Sequence, residues 1–352
     1  MSNKRIALLA GLLMLFSCNN SNKEKLDSPY HIYLERDINN ISSIPLSSIG
    51  SRLEYTPLET KPACMIRGIS KVSVSDSFLF VSDDYRLFLF DRSGRFIRKI
   101  GTEGRGPGEY SRVADFVLDE KSREVYILDF RIIYVYDYDG KFKREFKLGF
   151  VCKQIVINEN GELVLHPTNL PVATDSPVYS WYVLNKNGKV KTKLPNTLKR
   201  VNAGLAIQIS PLYMYNGTLH FMEFGIDTLY SFKENEKKPH AIFHYDKVKI
   251  PSDPTIDEFY KLDGQVYISR ILETKESLFI RIWCIMPFSI ISNCVFNKST
   301  SEFNILKNKG FANDIDGGIA FWPEEILDND VMVGFTDAFD LIKSYKDMEP
   351  AN

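Results

Sequence analysis

Acidic side chains recur near the ends of apolar runs, where several of them could face one bound cation. We take Asp314 and Asp316 as the sequence-based candidates for metal ligands. Further aspartates in similar positions are Asp83, Asp84, Asp115, Asp129 and Asp227. Carboxylate oxygens are the ligands that calcium prefers, so a ring of such groups could hold a Ca²⁺ ion. Turn capping by Asp explains most of these positions with fewer assumptions.

The histidines form a weaker pattern. His240 and His244 are four residues apart and share one face of a strand, but no acidic residue stands beside them in the sequence. We interpret them as ordinary outer-strand residues, and His166 and His220 as isolated packed or surface residues. The chain contains neither a Gly-x-Ser-x-Gly nor a Cys-x-x-Cys motif, so it shows no recognisable catalytic signature.

A glycine-rich stretch runs from Gly101 to Tyr110. A loop that cradles a phosphate needs a helix directly after it, and here a strand-like segment, residues 113–118, follows instead. We therefore interpret the stretch as a connection between sheets. Its side chains Arg105 and Glu109 are candidate ligand contacts, and a local ion pair between them is the simpler explanation.

Two tryptophans, Trp181 and Trp322, are candidates for stacking on a sugar ring. At strand positions such residues belong more often to the core between sheets. Both interpretations stay open from the sequence.

These side chains must be positioned by short strands that repeat along the chain. Turn glycines at 94, 140 and 188 are separated by 46 and 48 residues, and each follows a strand and precedes another. A period of this length built from strands alone predicts a β-propeller.

The positions of the turn-forming residues between the predicted strands indicate six blades. The first has strands at residues 69–74, 78–82, 87–91 and 95–100, and later blades span residues 113–148, 153–194, 207–245 and 265–306. The sixth holds residues 319–322 and 331–335 and is incomplete, so we expect an N-terminal strand at residues 53–58 to close it. Residues 338–345 predict a short amphipathic helix.

The N-terminus predicts export. Lys4 and Arg5 precede an apolar run over residues 6–16, which is too short to span a bilayer but has the length of a signal-peptide core. Ser17-Cys18 resembles the cleavage and lipidation site of bacterial lipoproteins. This resemblance implies a signal peptide at residues 1–17, lipidation of Cys18, and a tether and lead-in at residues 18–45 before a single propeller domain at residues 46–352. Asn19 after the cysteine implies the outer membrane.

The composition and net charge of the chain indicate a large core and bear on whether it binds nucleic acid. The chain has 352 residues, a formal net charge of −1 and 44% hydrophobic residues. This content is enough for a large core, and the absence of a basic excess argues against a nucleic-acid partner.

With these motifs in view, the chain resembles the six-bladed β-propeller lipoproteins of Bacteroides-type bacteria, with blades similar to NHL and TolB-like repeats. The likeness rests on residues 101–110, on residues 53–60, and on Asn313–Gly318 followed by Phe321-Trp322-Pro323. It implies an all-β fold and a cell-envelope location, without an assigned activity.

We therefore expect a non-catalytic envelope lipoprotein without a cofactor that binds a glycan, a peptide or an envelope protein. The alternative is a calcium-dependent hydrolase or lyase with its site at the central channel.

Overall fold

The computed structural model describes residues 28–37, 40–168, 179–196, 210–245, 247–252, 255–259, 261–262, 264–284, 289–327 and 331–348. The lipidation site Cys18 lies outside these residues. The described chain begins with strand β1 (Tyr30–Ile32), helix α1 (Leu34–Asp37) and strand β2 (Ile41–Ser42). Two single turns of 3₁₀-helix follow, at Leu46–Ser48 and Pro62–Cys64.

Five antiparallel sheets of four consecutive strands come next. The first blade contains β3 (Lys71–Val74), β4 (Phe78–Ser82), β5 (Leu87–Asp91) and β6 (Phe96–Ile100). The second contains β7 (Asp115–Asp119), β8 (Glu124–Asp129), β9 (Ile132–Asp137) and β10 (Phe142–Lys147). The third contains β11 (Cys152–Ile157), β12 (Leu163–Pro167), β13 (Tyr179–Leu184) and β14 (Val190–Pro195).

The remaining two blades follow the same order. The fourth contains β15 (Leu212–Tyr215), β16 (Thr218–Met222), β17 (Thr228–Lys233) and β18 (Glu236–Phe243). After the short helix α2 (Ile256–Phe259), the fifth contains β19 (Val266–Glu273), β20 (Ser277–Cys284), β21 (Ser289–Asn297) and β22 (Phe303–Leu306). A 3₁₀ turn (Lys307–Lys309), the strands β23 (Glu325–Ile326) and β24 (Met332–Val333), and helix α3 (Ala338–Met348) end the described chain.

The repeated turns have a local chemical cause. Asp91, Asp137 and Asn185 each open the turn between the third and fourth strands of a blade, and each side-chain oxygen accepts backbone N–H bonds within the turn, at 2.9–3.0 Å. The glycine three residues later has φ of +83°, +76° and +79° respectively, a conformation that other residues rarely adopt. The sequence-based repeat therefore corresponds to one turn motif.

The blades bury both faces of their sheets against their neighbours. One apolar cluster joins the first and second blades, another joins the second and third, and similar clusters continue through the fourth and fifth. The first strands of successive blades lie side by side, from β3 through β7, β11, β15 and β19 to β23. A hydrogen bond from Ser73 on β3 to Glu325 on β23 closes this ring. The fold is an all-β propeller, as the sequence predicts.

The prediction of six blades is not confirmed, because the described residues form five full blades and one two-stranded sheet. The pair β23–β24 fills the gap between the fifth blade and the first. Its residues Ile326 and Met332 pack on the fifth blade, and Val333 packs on the first. Residues 319–322 do not form a strand, although Phe321 makes one isolated bridge with Phe311.

The predicted closure of the last blade by an N-terminal strand is wrong. The two N-terminal strands instead add parallel fifth strands elsewhere, β1 beside β18 on the fourth blade and β2 beside β22 on the fifth. Residues 53–58 are not a strand but cross the end of the first blade, where Glu59 N–H donates to Gly94 O at 2.8 Å. The free edges of the outer strands offer the N-terminal segment a full row of hydrogen-bonding groups.

Helix α3 confirms the expected C-terminal helix. None of the helices in the described ranges has the length and apolar character needed to cross a bilayer. The cysteines Cys64, Cys152, Cys284 and Cys294 are buried and form no disulfide. The strand register places Cys294 opposite Ile280, and Cys284 opposite Ser289.

Candidate functional site

Charged side chains from several blades meet around the ring of first strands. We call this group the axial cluster; it consists of Lys71, Ser73, Asp115, Arg270, Glu324 and Glu325. The ammonium of Lys71 lies 2.6 Å from Asp115 Oδ1 and 2.8 Å from the carbonyl oxygen of Phe116. The other oxygen of Asp115 accepts a bond from Ile155 N–H at 2.9 Å. Asp115 therefore links the first three blades.

Glu325 is the unusual member of the axial cluster. Its Oε1 accepts a hydrogen bond from Ser73 Oγ at 2.8 Å, whereas its Oε2 is buried and has no hydrogen-bond partner. Burial raises the pKa of Glu325, against the opposing effect of Lys71 and Arg270. A buried carboxyl oxygen without a partner is costly, so it is a position that a ligand hydroxyl or amide could satisfy.

Two arginines approach this group from the fifth blade. Arg270 Nη1 lies 3.1 Å from Glu324 Oε2, and Arg281 Nη2 lies 2.5 Å from Glu324 Oε1. Burial lowers the pKa of Arg270, and Glu324 acts in the opposite direction. Glu324 therefore holds two cationic side chains at the boundary between the fifth blade and β23.

The aspartates do not form the ring of free carboxylates that a calcium site needs. Asp115 is paired with Lys71, Asp83 with Arg86, and Asp129 accepts bonds from the backbone and hydroxyl of Ser111. A basic side chain, or a backbone or hydroxyl hydrogen-bond donor, already contacts these oxygens. The calcium-dependent alternative therefore has no supporting arrangement at these positions.

Asp314 and Asp316, the candidate metal ligands, have separate partners. Asp314 accepts bonds from the backbone N–H of Ser47, at 2.9 Å, and from its hydroxyl, at 2.5 Å. Asp316 accepts from Asn313 Nδ2 at 2.6 Å and from Gly318 N–H at 2.9 Å. Both carboxylates thus secure the loop that follows the fifth blade.

The glycine-rich stretch connects the first and second blades, as expected. Glu109 folds back over it and accepts a bond from Gly106 N–H at 2.8 Å. Arg105 is exposed and forms no ion pair with Glu109. Neither residue lies in the axial cluster.

The two tryptophans occupy inter-blade positions. Trp181 is 1% exposed and packs edge-to-face on Phe232 between the third and fourth blades. Trp322 is partly buried and is stacked parallel to Phe311. The guanidinium carbon of Arg281 lies 5.9 Å from the centroid of the Trp322 ring. Trp181 therefore offers a ligand no exposed face, whereas Trp322 lies next to an arginine that also contacts Glu324.

Sequence reasoning missed the axial cluster as a unit. Lys71 lies in the first blade, Arg270 in the fifth and Glu325 in the two-stranded sheet, and no local motif connects them. The one available signal was a basic residue in each of two first strands, Lys71 at the start of β3 and Arg270 within β19.

Comparison with known proteins places the chain in a family. A family model described as a domain of unknown function, DUF4934, matches residues 29–352. The chain belongs to the DUF4934 family. No curated protein matches it.

Three solved structures from Bacteroides species are similar to this chain to different degrees. A putative exported protein from Bacteroides fragilis is 18% identical to this DUF4934 chain, with a TM-score of 0.60, over 79% of this chain and 80% of that one. A protein of unknown function from Bacteroides caccae is 12% identical, with a TM-score of 0.41, over 72% and 81% of the two chains. An auxiliary nutrient binding protein from Bacteroides ovatus is 11% identical, with a TM-score of 0.33, over 55% and 41%. At these identities the first similarity shows the propeller fold alone.

Proposed function

We propose that this DUF4934 protein is a non-catalytic binding protein of the cell envelope that takes up a hydroxyl-rich ligand, such as a glycan, at the axial cluster. The observation that carries the proposal is Glu325 Oε2, which is buried and has no hydrogen-bond partner. A sugar hydroxyl can both donate and accept, so it suits this oxygen whether the carboxyl is ionised or protonated. Lys71 and Arg270 place positive charge near this carboxyl.

Two of the buried cysteines are poor candidates for a catalytic nucleophile. A cysteine nucleophile acts as the thiolate, and burial raises the pKa of the Cys152 and Cys294 thiols. These thiols therefore stay protonated at neutral pH. A rigid propeller that presents polar groups from several blades is well suited to recognition.

The fold proposal is that β23–β24 represents the inner part of a sixth blade. The pair occupies the next position in the ring of first strands, between β19 and β3. Only two of the usual four strands are described there, since the chain continues into α3 after Val333.

The location proposal rests on the N-terminal sequence. Positive residues, an eleven-residue apolar run and Ser17-Cys18 together support cleavage before Cys18 and lipid anchoring in the outer membrane. The fold shared with an exported Bacteroides fragilis protein agrees with export.

The binding proposal is tested with the full chain in detergent, by calorimetric titration against a neutral oligosaccharide set, galacturonate oligomers and a tripeptide mixture. We expect a saccharide to bind, and Glu325→Ala and Ser73→Ala each to weaken it by roughly tenfold, the size of one lost buried hydrogen bond. Glu236→Ala is the matched control, because Glu236 pairs with Lys238 on the exposed outer strand β18. Saccharide binding that neither axial variant changes, or binding of the peptides alone, would refute the proposal.

A further inference from the structure

A second polar cluster lies where the fourth blade meets the fifth. It contains His220 on β16, His240 on β18 and Glu273, the last residue of β19. One donor atom from each of these residues lies within 4.8 Å of the other two, and no other such group of three His, Cys, Asp or Glu side chains occurs in the described ranges. None of the three belongs to the axial cluster, so this site is independent of the proposed glycan site.

One ring nitrogen of His220 is buried and forms no hydrogen bond. The residue is 3% exposed, and its Nδ1 is buried with no hydrogen-bond partner. The ring is stacked on Tyr213 at 5.0 Å and meets the His240 ring edge-on at 4.4 Å. An imidazole nitrogen without a partner is a donor that a bound metal ion could engage.

Glu273 is held in place from both sides. Its Oε2 accepts a bond from Tyr213 O–H at 2.6 Å, and its Oε1 lies 2.9 Å from His240 Nε2. Tyr213 thus orients the carboxylate as the outer hydrogen-bond partners of metal ligands do.

The ammonium of Lys298 completes the group. Lys298 Nζ lies 2.7 Å from Glu273 Oε1, and the two side chains are 8% and 1% exposed. The Lys298 ammonium therefore already neutralises the Glu273 carboxylate in a buried position.

We propose that His220, His240 and Glu273 bind a divalent transition metal of the zinc class, and that Lys298 takes the place of this cation in the metal-free protein. Two imidazoles and one carboxylate are a preferred donor set for Zn²⁺ and leave a fourth position open. Tetrahedral donors at metal–ligand distances of about 2.0–2.2 Å lie roughly 3.4 Å apart, so small side-chain rotations must bring the donors, now within 4.8 Å of one another, to this spacing. A dication and an ammonium repel each other strongly in a buried site, so metal binding displaces Lys298 or its proton.

The test uses the full chain after treatment with EDTA. Zn²⁺ is titrated in by calorimetry, and Co²⁺ is used in parallel because its visible absorption reports a tetrahedral nitrogen and oxygen site. We expect one tight site, at least tenfold weaker binding in His240→Ala and His220→Ala, and at least tenfold tighter binding in Lys298→Met.

His244→Ala is the matched control, since His244 forms a hydrogen bond with His31 on the surface and lies outside the proposed ligand set. Circular dichroism checks that each variant is folded; His240 is the less buried of the two ligand histidines and is the more reliable substitution. Loss of Zn²⁺ binding in His244→Ala but not in His240→Ala would overturn the proposal. So would equal Zn²⁺ affinity of the wild type and Lys298→Met, or no tetrahedral Co²⁺ spectrum in either.

Discussion

Replacement of Glu325 by Gln tests the electrostatics of the axial cluster. Gln keeps the shape of the side chain and an oxygen that can accept the Ser73 bond, but it has no proton to lose. Burial raises the pKa of Glu325 above its ordinary value of 4.5. The substitution therefore removes the one ionisation that the folded protein disfavours at this position.

The sign of the effect follows from proton linkage. Below pH 4.5 the glutamate is protonated in both the folded and the unfolded chain, and it contributes no pH dependence. As the pH rises from 4.5 to the folded pKa, the unfolded chain releases its proton first, so the wild type loses stability relative to Glu325→Gln. The loss is about 1.4 kcal/mol for each unit by which the pKa is raised.

At pH 7 the Glu325→Gln protein should be more stable than the wild type, by an amount that proton linkage sets from the raised pKa of Glu325, because the amide leaves a polar group at the same buried position. Urea unfolding of both proteins at pH 4, 5.5, 7 and 8.5 measures the difference in the free energy of unfolding. That difference should be small at pH 4, should increase with pH, and should then stay constant.

The opposite result would refute the reasoning. Lys71 and Arg270 both lower the pKa of Glu325, and if their attraction exceeded the cost of burial, Glu325→Gln would destabilise the protein at pH 7. A difference that is independent of pH would show that the carboxyl titrates equally in the folded and the unfolded chain.

Three further changes probe other parts of the chain. Gly94→Ala should lower the free energy of unfolding by more than about 1 kcal/mol, because φ is +83° and the new Cβ would lie 2.0 Å from Pro57 O. Gly317→Ala is the control in urea unfolding: its φ is +77°, no atom lies within 4 Å of the new Cβ, and it should lower the free energy of unfolding by less. Arg144→Lys should lower the free energy of unfolding by roughly 1 kcal/mol, because the guanidinium binds both oxygens of Glu124 at 2.7 and 2.8 Å. Arg98→Lys, at the exposed ion pair with Asp139, is the control and should change the free energy of unfolding by less than about 0.5 kcal/mol. Equal effects of the two substitutions would contradict the geometric argument. Cys18→Ala should abolish incorporation of labelled palmitate and release the protein from the membrane fraction, and continued labelling would disprove lipidation at Cys18.

The strand pattern of the blades could be predicted from sequence because its causes are local. The strands at residues 78–82 and 87–91 were predicted with the bounds that the structure has, and the helix at residue 338 begins where the pattern placed it. The Asp91 turn depends on hydrogen bonds that span at most four residues, and on one glycine whose conformation few other residues adopt.

The N-terminal segment shows where such reasoning fails. Residues 53–58 alternate as a strand would, yet β1 and β2, which are three and two residues long, make the actual pairings. Alternation indicates that a segment can pair, whereas the position of a free strand edge decides whether it does. That position depends on the assembled ring of blades.

The sequence by itself determined a repeat of antiparallel blades and their turns, because each depends on contacts between residues that are close along the chain. The tertiary structure alone decided which polar groups meet. His240 has no acidic neighbour in the sequence, but closing the ring brings Glu273 from the next blade to 2.9 Å from its ring. Likewise, the contact of β3 with β23 joins Ser73 to Glu325. Packing both faces of every sheet against its neighbours forces these distant residues together, and no local pattern records that constraint.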